Sequence, residues 1–159
     1  MKTRIVLAAP LLALLAACAS APIHTPESVA DTVAHDPRLS TLSTLVATAG
    51  LSETLKSAGP YTLFAPTNEA FQAVSVKTMD ELAHDPARLM AVLSYHVVAG
   101  KVLAADVKNG AVRTVGGANL TLAKAGEFVT VEDAMVQQAD IVATNGVVHT
   151  VDRVLMPAR

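Results

Sequence analysis

The segment Asn145-Gly-Val-Val-His-Thr-Val-Asp-Arg-Val-Leu-Met-Pro157 sets a histidine, His149, three positions from an aspartate, Asp152, the residue types of a general base and its orienting carboxylate. Their spacing argues against that use. On a strand running from Val147, side chains alternate between faces. Val147, His149, Val151 and Arg153 then share one face, and Val148, Thr150, Asp152 and Val154 share the other. His149 and Asp152 form no local dyad, and His149 is expected as a hydrogen-bonded member of a half-buried face. The five histidines (24, 35, 84, 96 and 149) show no HxH, HxxxH or HExxH spacing, so a metal site would need the fold to join His96 to His149. There is no GxSxG elbow, and Gly116-Gly117 precedes a strand rather than the helix a phosphate loop requires. A triad assembled in space from distant residues is left open; the motifs by themselves predict a non-enzyme with no cofactor and no metal.

The polar residues of the segment Pro66-Thr-Asn-Glu-Ala-Phe71 sit where a helix begins. Thr67 or Asn68 is expected to cap it, and Glu69 to favour its positive end. Asn145-Gly146, between two alternating apolar runs, predicts a tight hairpin whose turn positions both take positive φ.

The elements that hold these residues fall into two groups. Helices are expected from Thr25-Pro26, through Leu39–Ala49 with Gly50 as its stop, after Ser52, and under Asp85-Pro86 through Leu89, Val92 and Leu93. Thr78–Glu81 matches a capping box. Tyr61–Pro66 reads as a strand. Beyond Gly100, valine-rich pieces predict strands at 111–115, 119–124, 127–131, 134–138, 141–144 and 147–155. No repeat or interdomain linker appears, so helices and sheet share one core.

A chain of 159 residues, 52% hydrophobic, suits a single such domain. The N-terminal Met-Lys-Thr-Arg-Ile-Val-Leu-Ala-Ala-Pro-Leu-Leu-Ala-Leu-Leu-Ala-Ala-Cys18 has two positive charges, an apolar stretch and small residues at its end, the anatomy of an export signal. Residues 1–17 are expected to be removed. The single cysteine, Cys18, follows Leu15-Ala16-Ala17, which resembles the lipobox of bacterial lipoproteins; the alternative is cleavage at Ala17-x-Ala19 and release. A lone thiol in an oxidising compartment has no disulfide partner, which favours lipidation of Cys18, with residues 18–25 as a short tether. Loss of Lys2 and Arg4 leaves ten basic against 14 acidic residues and only five aromatics, which argues against a nucleic-acid partner.

Three ordered segments, Tyr61–Phe71, Leu93–Val102 and Asp140–Pro157, resemble the signature segments of the fasciclin domain. The resemblance covers residues 26–157. It implies an α+β domain, a wedge-shaped β-sandwich with several short helices packed on it, that serves adhesion rather than a reaction. The partner it implies is an unidentified protein or polysaccharide of the envelope or matrix, with membrane contact through the lipid alone. Outer-membrane anchoring is expected over inner, with periplasmic or secreted states as alternatives. Carriage of a hydrophobic small molecule (carotenoid- or haem-like) and an envelope-binding structural role are alternative functions. In some animal members a Tyr-His pair of the second segment is linked to receptor binding; the pair here is Tyr95-His96. On a strand the two would face opposite ways, and the residues themselves suggest an interior His96 and a packing Tyr95 with a wet hydroxyl. Ala99 stands where the family often has proline, which predicts a looser turn at Gly100.

Overall fold

The computed structural model describes residues 27–157. The signal, the tether, Cys18 and the cap expected at Thr25 lie outside the described residues.

The first described helix, α1 (Val29–His35), starts under Ser28, whose hydroxyl accepts from the Asp31 amide at 3.2 Å while the Asp31 carboxylate takes the Ser28 N–H at 3.3 Å. This is a capping box. A 3₁₀ turn (Pro37–Leu39) leads into α2 (Ser40–Thr48), which stops as expected at Gly50, in the left-handed region with φ 71°. In α3 (Ser52–Lys56) Ser52 is the first helical residue and not the cap. The strand β1 (Tyr61–Pro66) follows, then α4 (Asn68–Gln72) and α5 (Val76–His84). The capping box expected at Thr78–Glu81 does not form, because α5 begins earlier: Ser75 accepts from the Thr78 amide at 3.2 Å, and Glu81 instead pairs with Arg88. α6 (Pro86–Tyr95) begins as its sequence predicts, Asp85 accepting from the Arg88 amide at 3.0 Å with proline at the first helical position.

The remaining strands are β2 (Val97–Ala99), β3 (Gly110–Arg113), β4 (Asn119–Ala125), β5 (Phe128–Val131), β6 (Ala134–Ala143) and β7 (Gly146–Val151). They form one seven-stranded sheet in the order β2-β1-β7-β6-β5-β4-β3. β1 and β7 are parallel neighbours at its heart, and all other pairs are antiparallel. β6 pairs with β5 through its first two residues and with β7 through the rest, so the sheet folds over at β6. A bridge between Val98 and Thr114 brings the two ends back together, giving a nearly closed, barrel-like wedge.

The strands predicted at 134–138 and 141–144 are one strand. The apparent gap is a bulge, where Ala139 and Asp140 face His149 alone and Asp140 takes φ 57°. A second extra residue, Gln137, sits between Val136, opposite Val151, and Gln138, opposite Thr150. β7 ends at Val151, short of the expected 155.

Two apolar cores lie on the two faces. Leu63, Ala65 and Val148 pack with Val29, Val33, Leu39, Leu42 and Leu93 on the helical side. Phe64 and Val151 pack with Leu120, Leu122, Val131 and Leu155 inside the wedge. Each fully buried Leu, Val or Phe stabilises the fold by about 1.5–3 kcal/mol relative to exposure. Every residue of β7 is buried, which corrects the half-buried face expected for His149: a strand flanked by two cores has no wet side.

Candidate functional site

His149 fills the β6 bulge. Two β6 residues facing one on β7 leave an N–H without a ladder partner, and the Asp140 N–H donates to His149 Nδ1 at 3.1 Å. His149 Nε2 then carries the ring proton and donates to the Val102 carbonyl at 2.7 Å. The ring stacks on Phe64, centroids 5.5 Å apart and planes at 21°. Burial lowers its pKa below 6.5, against the opposing pull of the Val102 carbonyl and Asp140. The same loop is held twice more. Ala104 N–H donates to Asp140 Oδ1 at 2.8 Å, and Thr62 donates to Gly100 O at 2.7 Å while accepting from Val102 N at 2.8 Å. The turn at Gly100, expected to be loose without proline at 99, is therefore pinned by the Thr62 hydroxyl and by the Gly100 N–H bond to Pro60 O at 2.9 Å.

Tyr95 and His96 do not lie on a strand. The apolar run continues from helix into strand, so Tyr95 ends α6 and His96 is its C-terminal cap. Both are buried, Tyr95 6% and His96 1% exposed, rather than facing opposite ways. His96 Nδ1 donates to Val92 O at 2.8 Å, and Nε2 accepts from the Leu155 amide at 3.0 Å. Burial pushes its pKa down to about 4. The Tyr95 hydroxyl donates to Asn119 O at 3.1 Å and lies 3.4 Å from Glu132 Oε1; burial, with Glu132 beside it, raises the phenol above 10. Phe64, opposite His149 and bonded through its N–H to His96 O at 2.9 Å, stands between the two histidines. All four imidazole nitrogens serve backbone groups, so the fold spaces the pair as two clasps. Among the described residues no cluster of three His, Cys, Asp or Glu could hold a metal ion.

The hairpin at Asn145-Gly146 forms, but its turn residues are Thr144 and Asn145, since Ala143 pairs with Gly146. Neither Asn145 nor Gly146 has positive φ. Asn145 acts over distance: Oδ1 accepts from Val29 N at 2.8 Å, and Nδ2 donates to Leu55 O and Ser57 O at 2.6 and 2.8 Å. Gly146 is required by contact, because a Cβ there would stand 1.9 Å from Tyr61 O on β1. Asp152 lies just past β7, where its carboxylate accepts from Met135 N at 2.7 Å and its own amide donates to Met135 O at 3.1 Å.

Thr67 caps α4, accepting from Ala70 N at 3.4 Å. Asn68 caps a different helix. α2 has no side-chain cap of its own, and Asn68 Oδ1 accepts from Thr41 N at 3.0 Å while Nδ2 donates to Pro37 O at 3.0 Å. Beside it opens a surface groove of about 330 Å³ lined by Pro37, Arg38, Thr67, Asn68, Glu69 and Gln137. Arg38 is fixed there by Asp36 at 2.6 Å and by Gln138 Oε1 at 2.8 Å. The hydrogen bond and charge of Arg38 hold the Asp36 carboxyl below its usual range.

The model of the fasciclin domain matches residues 37–157. The chain belongs to the fasciclin domain family. Over 132 residues this fasciclin domain is 39% identical to Protein sll1483 of Synechocystis, covering 82% of this chain and 73% of that protein. It is 41% identical over 132 residues to the transforming growth factor-beta-induced protein ig-h3 of Sus scrofa, but spans only 19% of that longer protein. Its fold is similar, at TM-score 0.62 and 23% identity, to the FAS1 domain pair from the insect cell adhesion molecule Fasciclin I, over 74% of this chain and 45% of that one.

Sequence reasoning missed three residues of this fasciclin domain. Thr62 and Gln137 carry no local signal, since one holds a loop forty residues away and the other is set beside the groove by a bulge. Arg38 follows Asp36-Pro37, a turn signature that marks the turn but not the groove it borders.

Proposed function

We propose that this protein is a non-enzymatic binding module of the cell envelope, anchored through lipid on Cys18 and offering its folded surface to a protein or polysaccharide of the envelope or matrix. One observation carries the reading: six polar residues of the signature segments, His96, His149, Asn145, Asp152, Thr67 and Asn68, are bound to backbone groups, leaving none of these six side chains poised over a substrate. A module built this way works by the surface it presents. The fold shared with a domain pair of an insect cell adhesion molecule supports the same reading. The anchor is assigned to Cys18 because it follows the lipobox-like Leu15-Ala16-Ala17; several acyl chains there would exceed the threshold for stable membrane binding. The test combines Cys18→Ser with deletion of the gene. Palmitate labelling and membrane retention are expected to vanish in the variant, and attachment to surfaces to fall in the deletion strain; undiminished attachment on every surface tried would refute adhesion, and retained labelling would refute the anchor.

A further inference from the structure

We infer that the groove between the 3₁₀ turn, the start of α4 and the β6 bulge is a binding site for a neutral, hydroxyl-rich oligosaccharide. This inference deepens the adhesion reading and rests on it. The groove's volume, about 330 Å³, lies within the range of small-ligand sites, about 300–1,000 Å³. Its polar groups converge and remain available. Glu69 and Gln137 make no side-chain hydrogen bond among the described residues. Arg38 uses Nε and one N–H on each terminal nitrogen for Asp36 and Gln138, which leaves one donor on each terminal nitrogen at a fixed angle.

Gln137 is there because of the backbone. It is the extra residue of the bulge between Val136 and Gln138, and bulges re-aim side chains. The bulge places an amide across the groove from a carboxylate and two guanidinium donors. Vicinal hydroxyls, each donor and acceptor at once, match that set. An anion does not, because Asp36 already neutralises Arg38 and Glu69 repels it. A protein partner is a poorer match: protein interfaces centre on buried aromatic or aliphatic anchors, and Pro37 is the one wholly apolar side chain among the described residues lining the groove, its other carbon surface coming from the stems of polar side chains.

The position of the groove agrees with display from a membrane. The Glu27 carbonyl accepts from the Thr144 amide at 2.8 Å, so the chain enters beside the β6–β7 hairpin, at the Tyr61 and Gly146 end of the two parallel strands. The groove lies at the other end, beside Thr67 and Gln137, six strand residues away, or roughly 20 Å. Eight residues lie between Cys18 and Glu27, a reach of at most about 30 Å. The chain therefore enters the domain at the end away from the groove, so an anchor at Cys18 would attach opposite the binding face.

The experiment titrates the isotopically labelled full mature chain with maltohexaose, cellohexaose and chitohexaose, and in parallel with hexagalacturonate and a collagen-like peptide, while the Asn68 and Gln137 side-chain amide resonances are followed. At least one neutral hexasaccharide is expected to shift both amides saturably. Glu69→Ala and Gln137→Ala, both at exposed positions, are expected to weaken that binding at least about tenfold with the rest of the amide spectrum unchanged. Shifts with none of the neutral sugars, shifts only with the acidic sugar or the peptide, or affinity indifferent to both substitutions would each overturn the inference. Cell attachment that survives both substitutions while no neutral sugar binds would remove the groove and leave the adhesion reading standing.

Discussion

Acidification is expected to weaken the fold through His96. Its ring is 1% exposed, with Nδ1 donating to Val92 O and Nε2 accepting from Leu155 N. A second proton would set an N–H against the Leu155 N–H inside the wedge core. The displacement from 6.5 to about 4, at about 1.4 kcal/mol per pH unit, corresponds to about 3 kcal/mol. The unfolded chain takes this proton below about 6.5 and the folded chain only below about 4, so the unfolded state holds more protons throughout that window and stability falls as pH falls. The contribution is complete well above pH 6.5 and is lost as pH falls toward about 4, by roughly 1 kcal/mol near pH 5.5 and roughly 2–3 kcal/mol near pH 4.5. His149, lowered mainly by burial, adds to the same slope. The assay is urea unfolding at pH 7.5, 6.5, 5.5 and 4.5. With an m-value of about 1–3 kcal/mol/M, the midpoint should drop by roughly 1–3 M across the series. His96→Asn, which keeps a donor toward Val92 but cannot titrate, should start lower at pH 7.5 and show a shallower slope. Parallel slopes for the variant and the parent, or His96 ring resonances that titrate near 6.5 in the folded protein, would refute the reasoning.

Gly146→Ala should separate β1 from β7, because the new Cβ would stand 1.9 Å from Tyr61 O; a loss of about 3 kcal/mol, or roughly 10 °C in Tm, is expected by calorimetry. Gly126→Ala, at φ 64° with nothing within 4 Å, should cost only about 1 kcal/mol. Asn145→Ala removes three bonds to Val29, Leu55 and Ser57 and should cost about 2–3 kcal/mol, with faster hydrogen exchange at the Val29 amide. Tyr95→Phe should cost about 1 kcal/mol, and in the parent the tyrosinate absorbance of Tyr95 should emerge only above pH 10.

Local signals were the legible ones. Asp85-Pro86 announced α6, Gly50 ended α2, and valine-rich pieces between glycines located nearly every strand of the second half. The alternation along Val147–Val154 also ruled out a His149–Asp152 dyad, and the structure places one in the wedge and the other past the strand end. What stayed hidden acts at long range. The purpose of Asn145 is a bond to Val29, 116 residues earlier, so its local context suggested turn chemistry it does not perform. Gly146 resembles a turn glycine but answers to a neighbouring strand. Asp140 breaks the apolar rhythm of β6, and only the His149 imidazole, nine residues on, keeps the bulged backbone paired. Tyr95 and His96 sit between the apolar residues of α6 and those of β2 with no glycine or proline to punctuate them, so hydropathy does not mark the passage from helix to strand.

The strand that pairs in parallel with β1 is the last of the described strands in chain order. β7 joins β1 by pairing Tyr61 with Gly146 and Pro66 with Val151, so the helices and β1 wait for the C-terminal residues before their shared core can close. Contacts of such sequence separation are slow to form. A chain in which Val151 is not yet free has no partner for the inner edge of β1, so the core shared by the helices and β1 closes only when that segment joins.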